Sequence, residues 1–445
     1  MSYITILALS NSAFLWELVL RVPGVTPLIG LGIATVLFVA LFLVANIMLN
    51  NDKEVPIKLR RLGRGGELLL EVVICTTIQV VVFLVIGLTS LVVFPAITWI
   101  LSTIVCVLVL GIVYLNGAIR VGLFSGQLSL LRKVLLFVFC WVPIVNLVVF
   151  FMVYIPLRSE YRFGVFKHNR NLARRDDRVC ATRYPLLLVH GIFFRDWKLL
   201  NYWGRIADEL LANGATIYYG KQQSSSSVEN SAKELAAQIT QIIETTPHEK
   251  VHIIAHSKGG LDARYAISCL GMDRYVASLT AVSTPHRGCR FARKALDNVP
   301  DAIVAQVSKQ YERIFTLLGD KQPDFFGGVS ELTDEVCANL NKRMPNKAGV
   351  LYQSVGTKML NSRSAGVPLN LGFDIVKAID GDNDGLVAVE SMPWGESFLL
   401  IEPPGKRGIS HADIIDQTRK DIEGFDVCEL YVGIVQGLKE WELRG

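Results

Sequence analysis

No C-x-x-C spacing occurs among the eight cysteines of this 445-residue chain. Cys75, Cys106 and Cys140 fall in apolar runs, and Cys180, Cys269, Cys289, Cys337 and Cys428 are scattered, so neither a zinc site nor a disulfide framework is indicated. No Lys/Arg-rich run is interleaved with aromatics and the net charge is only +5, so nucleic acid is not an expected partner. No basic segment precedes the first apolar stretch, residues 3–20, and no small-x-small site follows it, which argues against a cleaved signal peptide. Beyond Glu71, no ionisable side chain stands in the middle of a long apolar run. Transport helices keep such groups, and the N-terminal block therefore reads as an anchor.

What the chain has in excess is apolar sequence: 51% of its residues are hydrophobic, at a mean hydropathy of +0.38. That is too much for one soluble domain and implies membrane spans and a lipid bilayer as partner. Residues 1–157 hold about four hydrophobic helices. Gly24 to Leu49 is uncharged and long enough for a hydrocarbon core of ~30 Å. A polar, basic loop carrying Lys53, Lys58, Arg60, Arg61 and Arg64 follows. Residues 68–117 suit a helical hairpin turning near Pro95, and Val134 to Leu157 carries Pro143 and Asn146 at its middle. If all four runs cross, basic loops fall on both sides. If the last run is re-entrant, broken at Pro143 and Asn146, every basic loop falls on one side, which places the C-terminal domain in the cytoplasm. We take the second arrangement.

Residues 158–182 form a charged linker, and beyond it short β-branched runs alternate with amphipathic helices. This pattern implies an α/β fold, a mostly parallel sheet with helices on both faces. The expected strands are Pro185–Val189, Thr216–Tyr219, Val251–Ala255, Val276–Val282 and Val350–Val355. Ala232, Leu235, Ala236, Ile239, Ile242 and Ile243 recur at helical spacing and face the core.

The run Val251-His252-Ile253-Ile254-Ala255-His256-Ser257-Lys258-Gly259-Gly260 reads as strand, sharp turn, helix. A serine at such a turn is forced toward positive φ and needs small neighbours, here Ala255 and Gly259, and its hydroxyl then stands beside the first amides of the helix. A helix-capping serine is the plainer reading. Val189-His190-Gly191-Ile192 closes the first strand with a turn able to offer backbone N–H groups, and we assign the oxyanion donors to Ile192 and Lys258. His190 reads as a strand-end histidine satisfying loop backbone. Phe193, Phe194, Trp197, Tyr202 and Trp203 suit an acyl pocket or ordinary core equally. Asp380, Asp382 and Asp384, then His411, follow in the chain order Ser, Asp, His of an acyl-transfer triad. The acids also match the opening of an EF-hand loop. Its twelfth position would be Ser391 in place of the bidentate glutamate, and the following Leu-Val-Ala-Val reads as strand.

With these parts in place, Tyr184 to about Lys420 resembles the bacterial true lipases, triacylglycerol lipases with an α/β-hydrolase core. The matching pieces are Leu188-Val189-His190-Gly191, Asn201-Tyr202-Trp203, Asn213-Gly214-Ala215, the elbow, Arg264-Tyr265, Ser283-Thr284-Pro285-His286-Arg287-Gly288, Asn383-Asp384-Gly385-Leu386-Val387 and His411-Ala412-Asp413. The resemblance selects Asp384 as the triad acid and His411 as the histidine. It implies no organic cofactor and a structural calcium ion held by Asp413 and Gln417; salt bridging or helix capping by Asp413 is the equal alternative. It further implies a helical lid at about 289–328, with Ile303, Val304, Val307, Ile314, Leu317 and Leu318 on its apolar stripe. The chain departs from these lipases in its membrane block, in Ala255 and in Lys258. Residues 183–445 are thus expected to form a membrane-anchored serine hydrolase of lipid esters. An acyltransferase with the same triad and a non-catalytic scaffold are the alternatives, separable by product analysis with a competing acyl acceptor and by reaction with fluorophosphonates.

Overall fold

The computed structural model describes residues 2–22, 28–48, 53–89, 94–139, 143–192, 202–223, 226–298, 330–402 and 405–444. Two compact units divide the chain, Met1–Leu172 and Ala173–Gly445.

The first unit is helical: α1 (Ser2–Ser10), α2 (Ser12–Leu20), α3 (Leu28–Ile47), α4 (Ile57–Thr89), α5 (Ala96–Phe124), α6 (Leu130–Val138) and α7 (Pro143–Ala173). Among the described residues two stretches, Ile57–Leu88 and Ala96–Phe124, are long and apolar enough to cross a membrane, and the pair α1 and α2, bent by 61°, makes a third if it is one span. Gly32–Ile47 of α3 is a shorter apolar helix. Pro95 precedes the first turn of α5, where its missing N–H costs nothing. The expected basic loop is corrected: Lys58 to Arg64 lie inside α4. Leu59, Leu62 and Leu69 carry the apolar stripe of that helix through the charged stretch, and Leu62 and Leu69 are fully buried.

The run Val134–Leu157 falls in two helices, α6 and α7. Lys133 at the start of α6 donates to the carbonyls of Gly122 and Ser125 at the end of α5, at 2.9 and 2.8 Å. Farther along, the Tyr114 hydroxyl donates to the Leu136 carbonyl at 2.6 Å and meets the Asn146 side chain at 3.2 Å. α6 therefore descends beside the last turns of α5, and α7 returns. The break precedes Pro143, and Asn146 lies within α7. The expected linker from 158 is corrected as well, because α7 continues through Ala173. Glycines let it close on α4: a Cβ on Gly63 would stand 2.7 Å from the Tyr161 ring, and one on Gly66 2.9 Å from Leu157. Gly65 does the same against α5, with Arg120 Cβ at 2.9 Å. Arg64 ties the bundle at this end, donating to Glu71 and to the Ala45 carbonyl, both at 2.8 Å.

The second unit holds a six-stranded sheet in the order β2-β1-β3-β4-β5-β6 with every pair parallel, formed by β1 (Leu186–Val189), β2 (Ile217–Tyr219), β3 (Val251–His256), β4 (Val276–Val282), β5 (Leu351–Thr357) and β6 (Ser397–Ile401). Its helices are α8 (Ile206–Ala212), α9 (Val228–Thr245), α10 (Lys258–Cys269), α11 (Arg290–Asn298), α12 (Asp334–Arg343), α13 (Leu369–Asp380) and α14 (Val427–Glu442). Alternate strand residues feed two cores: Leu187, Val189, Ile253 and Ala255 pack with α9 and α10, while Leu186, Leu188 and Ile254 pack with α8 and α14. This is the expected α/β-hydrolase architecture. Two local readings fail. β6 was not among the expected strands, and Leu386–Val389 is not a strand, because the Asp384 carboxylate gathers its amides into a turn. Of the expected lid, α11 is described, whereas residues 299–329 and the stripe from Ile303 lie outside the described residues.

Replacing Gly65 by Leu should lower the stability of the helical unit by about 1–3 kcal/mol through overpacking. Leu at Gly111, where a Cβ meets nothing within 4 Å, should change little. Thermal unfolding of both variants in detergent distinguishes them.

Candidate active site

Ser257 leaves the central strand β3 at φ 54° and ψ −132° and precedes the first residue of α10. A side-chain-bearing residue in such a region costs on the order of 1–3 kcal/mol unless its surroundings overdetermine it. Here they do. Its N–H donates to the Val282 carbonyl at 2.9 Å, and its carbonyl accepts from Gly260 at 3.0 Å. A Cβ at Gly259 would strike the His190 carbonyl, one at Gly260 would strike Thr284, and one at Gly191 would lie 2.8 Å from the Ser257 Cβ. Ala255 is fully buried in the sheet between Val189 and Ala281, where a methyl group fits.

His411 follows β6, and its Nδ1 lies 2.7 Å from Asp384 Oδ2. The second Asp384 oxygen accepts from the N–H groups of Leu386 and Val387, at 3.1 and 2.8 Å, and the Asp384 carbonyl accepts from the His411 N–H at 2.8 Å. Asp384 is fully buried. The other two acids are engaged elsewhere: Asp380 receives Arg290 Nε at 2.6 Å and the Phe291 N–H at 3.0 Å, and Asp382 lies 3.5 Å from Lys358. Ser391 donates to the Gly288 carbonyl at 2.7 Å, so the EF-hand reading is not what this segment forms.

The imidazole of His256, the residue before Ser257, stands 4.4 Å centroid to centroid from that of His411. The elbow and the histidine segment thus converge at the C-terminal edge of the sheet. Burial, reinforced by the neighbouring His411, holds His256 well below its ordinary pKa. It stays uncharged and adds no repulsion to a cationic His411. His256 Nδ1 lies 2.7 Å from the Tyr202 hydroxyl, which accepts from the Gly191 N–H at 2.9 Å. The strand-end turn is therefore pinned to the residue preceding Ser257. Nothing in the spacing of Tyr202 announced this role. Tyr202 and Trp203 are buried in the core, and Phe193, Phe194 and Trp197 lie outside the described residues. Lys258 opens α10, where an N–H has no intrahelical acceptor. Ile192 follows Gly191 and is buried. His190 Nδ1 meets the Gly191 carbonyl at 2.9 Å, the loop-satisfying position expected of it.

A family model described as "Putative serine esterase (DUF676)" matches residues 186–322. The triacylglycerol lipase of Pseudarthrobacter phenanthrenivorans is 31% identical over 182 residues, covering 38% of this chain and 56% of that lipase. The triacylglycerol lipase of Pseudomonas fragi is 27% identical over 297 residues, 60% of this chain and 99% of that one. The C-terminal unit is similar in sequence to triacylglycerol lipases, and the chain spans about half the length of the first two relatives it matches. Among solved structures, the Staphylococcus hyicus lipase superposes with a TM-score of 0.47 at 18% identity, covering 59% of this chain and 97% of that one.

Of the two residues implied for calcium, Asp413 is engaged by protein groups. Asp413 accepts from the Ser410 N–H and hydroxyl at 3.0 and 2.7 Å and meets the Arg407 guanidinium at 2.9 Å. Gln417 is exposed, and among the described residues no group of three or more His, Cys, Asp or Glu side chains is placed to hold a metal. The capping and salt-bridging alternative is what the geometry shows. Farther along, Arg205 grips Asp416 through Nε and Nη2, at 2.8 and 2.7 Å. Two arginines thus brace the segment that carries His411. EDTA should leave the unfolding temperature unchanged, whereas Arg407→Gln should lower stability by about 1–2 kcal/mol, because Asp413 keeps its Ser410 hydrogen bonds; differential scanning fluorimetry reads both.

Lys258 places its ammonium 2.8 Å from Asp262 and 3.1 Å from Ser231, with both members of the ion pair buried. Burial pushes the Asp262 carboxyl up to about 7, against the opposing pull of Lys258. Removing one member of such a pair costs about 3–5 kcal/mol, whereas an apolar replacement of both comes near neutral. Lys258→Met should therefore destabilise strongly and Lys258→Met with Asp262→Leu much less, as measured by thermal unfolding.

Proposed function

We propose that the chain is a membrane-anchored serine hydrolase that cleaves carboxylic esters of lipids. The observation that carries this reading is the 2.7 Å contact of His411 Nδ1 with the buried Asp384 carboxylate, beside an elbow that strains Ser257 outward. Asp384 fixes the imidazole with its proton on Nδ1, leaving Nε2 as a base. Ser257 Oγ attacks the ester carbonyl carbon as His411 takes its proton. The carbonyl oxygen gains the charge, which the N–H groups of Ile192 and Lys258 meet, aided by the positive end of α10. The intermediate collapses, the C–O bond to the leaving alcohol breaks, and His411 returns the proton to that alcohol. Water then repeats the sequence on the acyl-enzyme, releasing the acid and restoring Ser257. These steps call for no organic cofactor.

Membrane-borne esters are the substrate class because the chain carries helices suited to a bilayer. The charged ends of α4, α5 and α7 lie at one end of the helical unit, and the chain leaves α7 at that end. We therefore place the catalytic unit on the cytoplasmic side, where positive charge collects.

Ser257→Ala should abolish hydrolysis of p-nitrophenyl esters and labelling by a fluorophosphonate, a loss of about 10⁴-fold or more in kcat. Retention of both by a folded variant would remove Ser257 from the reaction.

A further inference from the structure

Helix α13 lies against the turn that holds Asp384. A Cβ on its Gly372 would strike the Gly385 carbonyl, and Leu386, half-buried, borders the same glycine. Its solvent-facing side carries apolar residues beside Asp374 and Lys377. Leu371 and Ile375, one turn apart, are 62% and 56% exposed, and Val367 just before the helix is 76% exposed. Among the described residues of this unit only eight large hydrophobic side chains are exposed, and these three fall within nine consecutive positions. Scattered apolar residues on a surface need no account; a ridge of them on one helical face does.

The border of the ridge supplies the chemistry of its partner. Asn361 brings two basic residues together before α13, accepting from the Arg363 N–H at 3.0 Å and donating to the Lys406 carbonyl at 2.6 Å, and both side chains are exposed. Lys377 stands exposed on the last turn of α13, over the Phe373 ring. The one acid on the exposed part of this helix before its last residue is Asp374. An apolar face bordered by cations is the pattern of a helix that rests in the headgroup region of an anionic bilayer.

We propose that Val367, Leu371 and Ile375 dock the catalytic unit on an anionic lipid surface, with Arg363, Lys377 and Lys406 on lipid phosphates, so that the turn carrying Asp384 meets esters from the membrane. The docking deepens the ester-hydrolase reading and rests on it for the substrate. Continuity supports the bilayer as occupant, since the same chain carries helices long and apolar enough to cross one.

The test uses the full-length protein in phosphatidylethanolamine and phosphatidylglycerol vesicles, with bimane on Val367→Cys in a Cys269→Ser background. Acyl-brominated phospholipid should quench the label and aqueous iodide should not. Adding Leu371→Glu and Ile375→Glu should reverse that pattern and lower hydrolysis of a bilayer-embedded diacylglycerol about tenfold, with p-nitrophenyl acetate hydrolysis within about twofold of the parent. A label quenched by iodide in the parent protein overturns the proposal. So does a label shielded from both quenchers, which would put a protein, such as a second copy of this chain, on the ridge. Repeating the quenching with Ser257→Ala keeps its outcome separate from the ester-hydrolase reading.

Discussion

A serine held at φ 54° and ψ −132° survives only where its neighbours leave it no other choice. Three chain segments meet that condition: β4 accepts its amide proton, the turn after β1 presses against it through Gly191, and the start of α10 presses the His190 carbonyl through Gly259. The approaches at Gly191 and Gly259 require the absence of a side chain. The smallness of this region is therefore a consequence of one strained residue rather than a collection of separate motifs. Under the proposed function it also fixes where the chemistry takes place. With the serine projected from the C-terminal edge of a parallel sheet, its partners must come from loops at that same edge, and the segments after β5 and β6 are there.

Those loops are long, and the proposed triad built on them needs bracing. The structure supplies it with charge. The Asp384 carboxylate bonds to the turn and to His411, while Arg407 and Arg205 grip Asp413 and Asp416, both just after the histidine. Buried carboxylates are costly unless paired and hydrogen-bonded. These three are satisfied by groups that also set the position of the imidazole, so stability and alignment share the same contacts.

The sheet and the elbow were legible because they depend on local pattern: β-branched runs, small residues around a serine, apolar residues at helical spacing. Errors arose where tertiary contacts override that pattern. Lys58 to Arg64 carry the charge of a loop but bury Leu62 as helix. Leu386 to Val389 carry the composition of a strand but wrap around a carboxylate. β6 sits half-exposed at the sheet edge, where little in its composition separates it from loop. Asp380, Asp382 and Asp384 could not be ranked by spacing, and only the resemblance to the lipases picked one. The arginines that brace the histidine segment gave no sequence signal, because Arg205 and Asp416 are far apart in the chain.

The central claim is that Asp384 orients His411 toward a strained serine. Its most direct measurement is the low-field proton spectrum of the full-length protein in detergent. The account predicts a downfield imidazole N–H resonance that persists in Ser257→Ala and vanishes in both Asp384→Asn and His411→Gln. A spectrum in which Asp384→Asn leaves that resonance in place would contradict it.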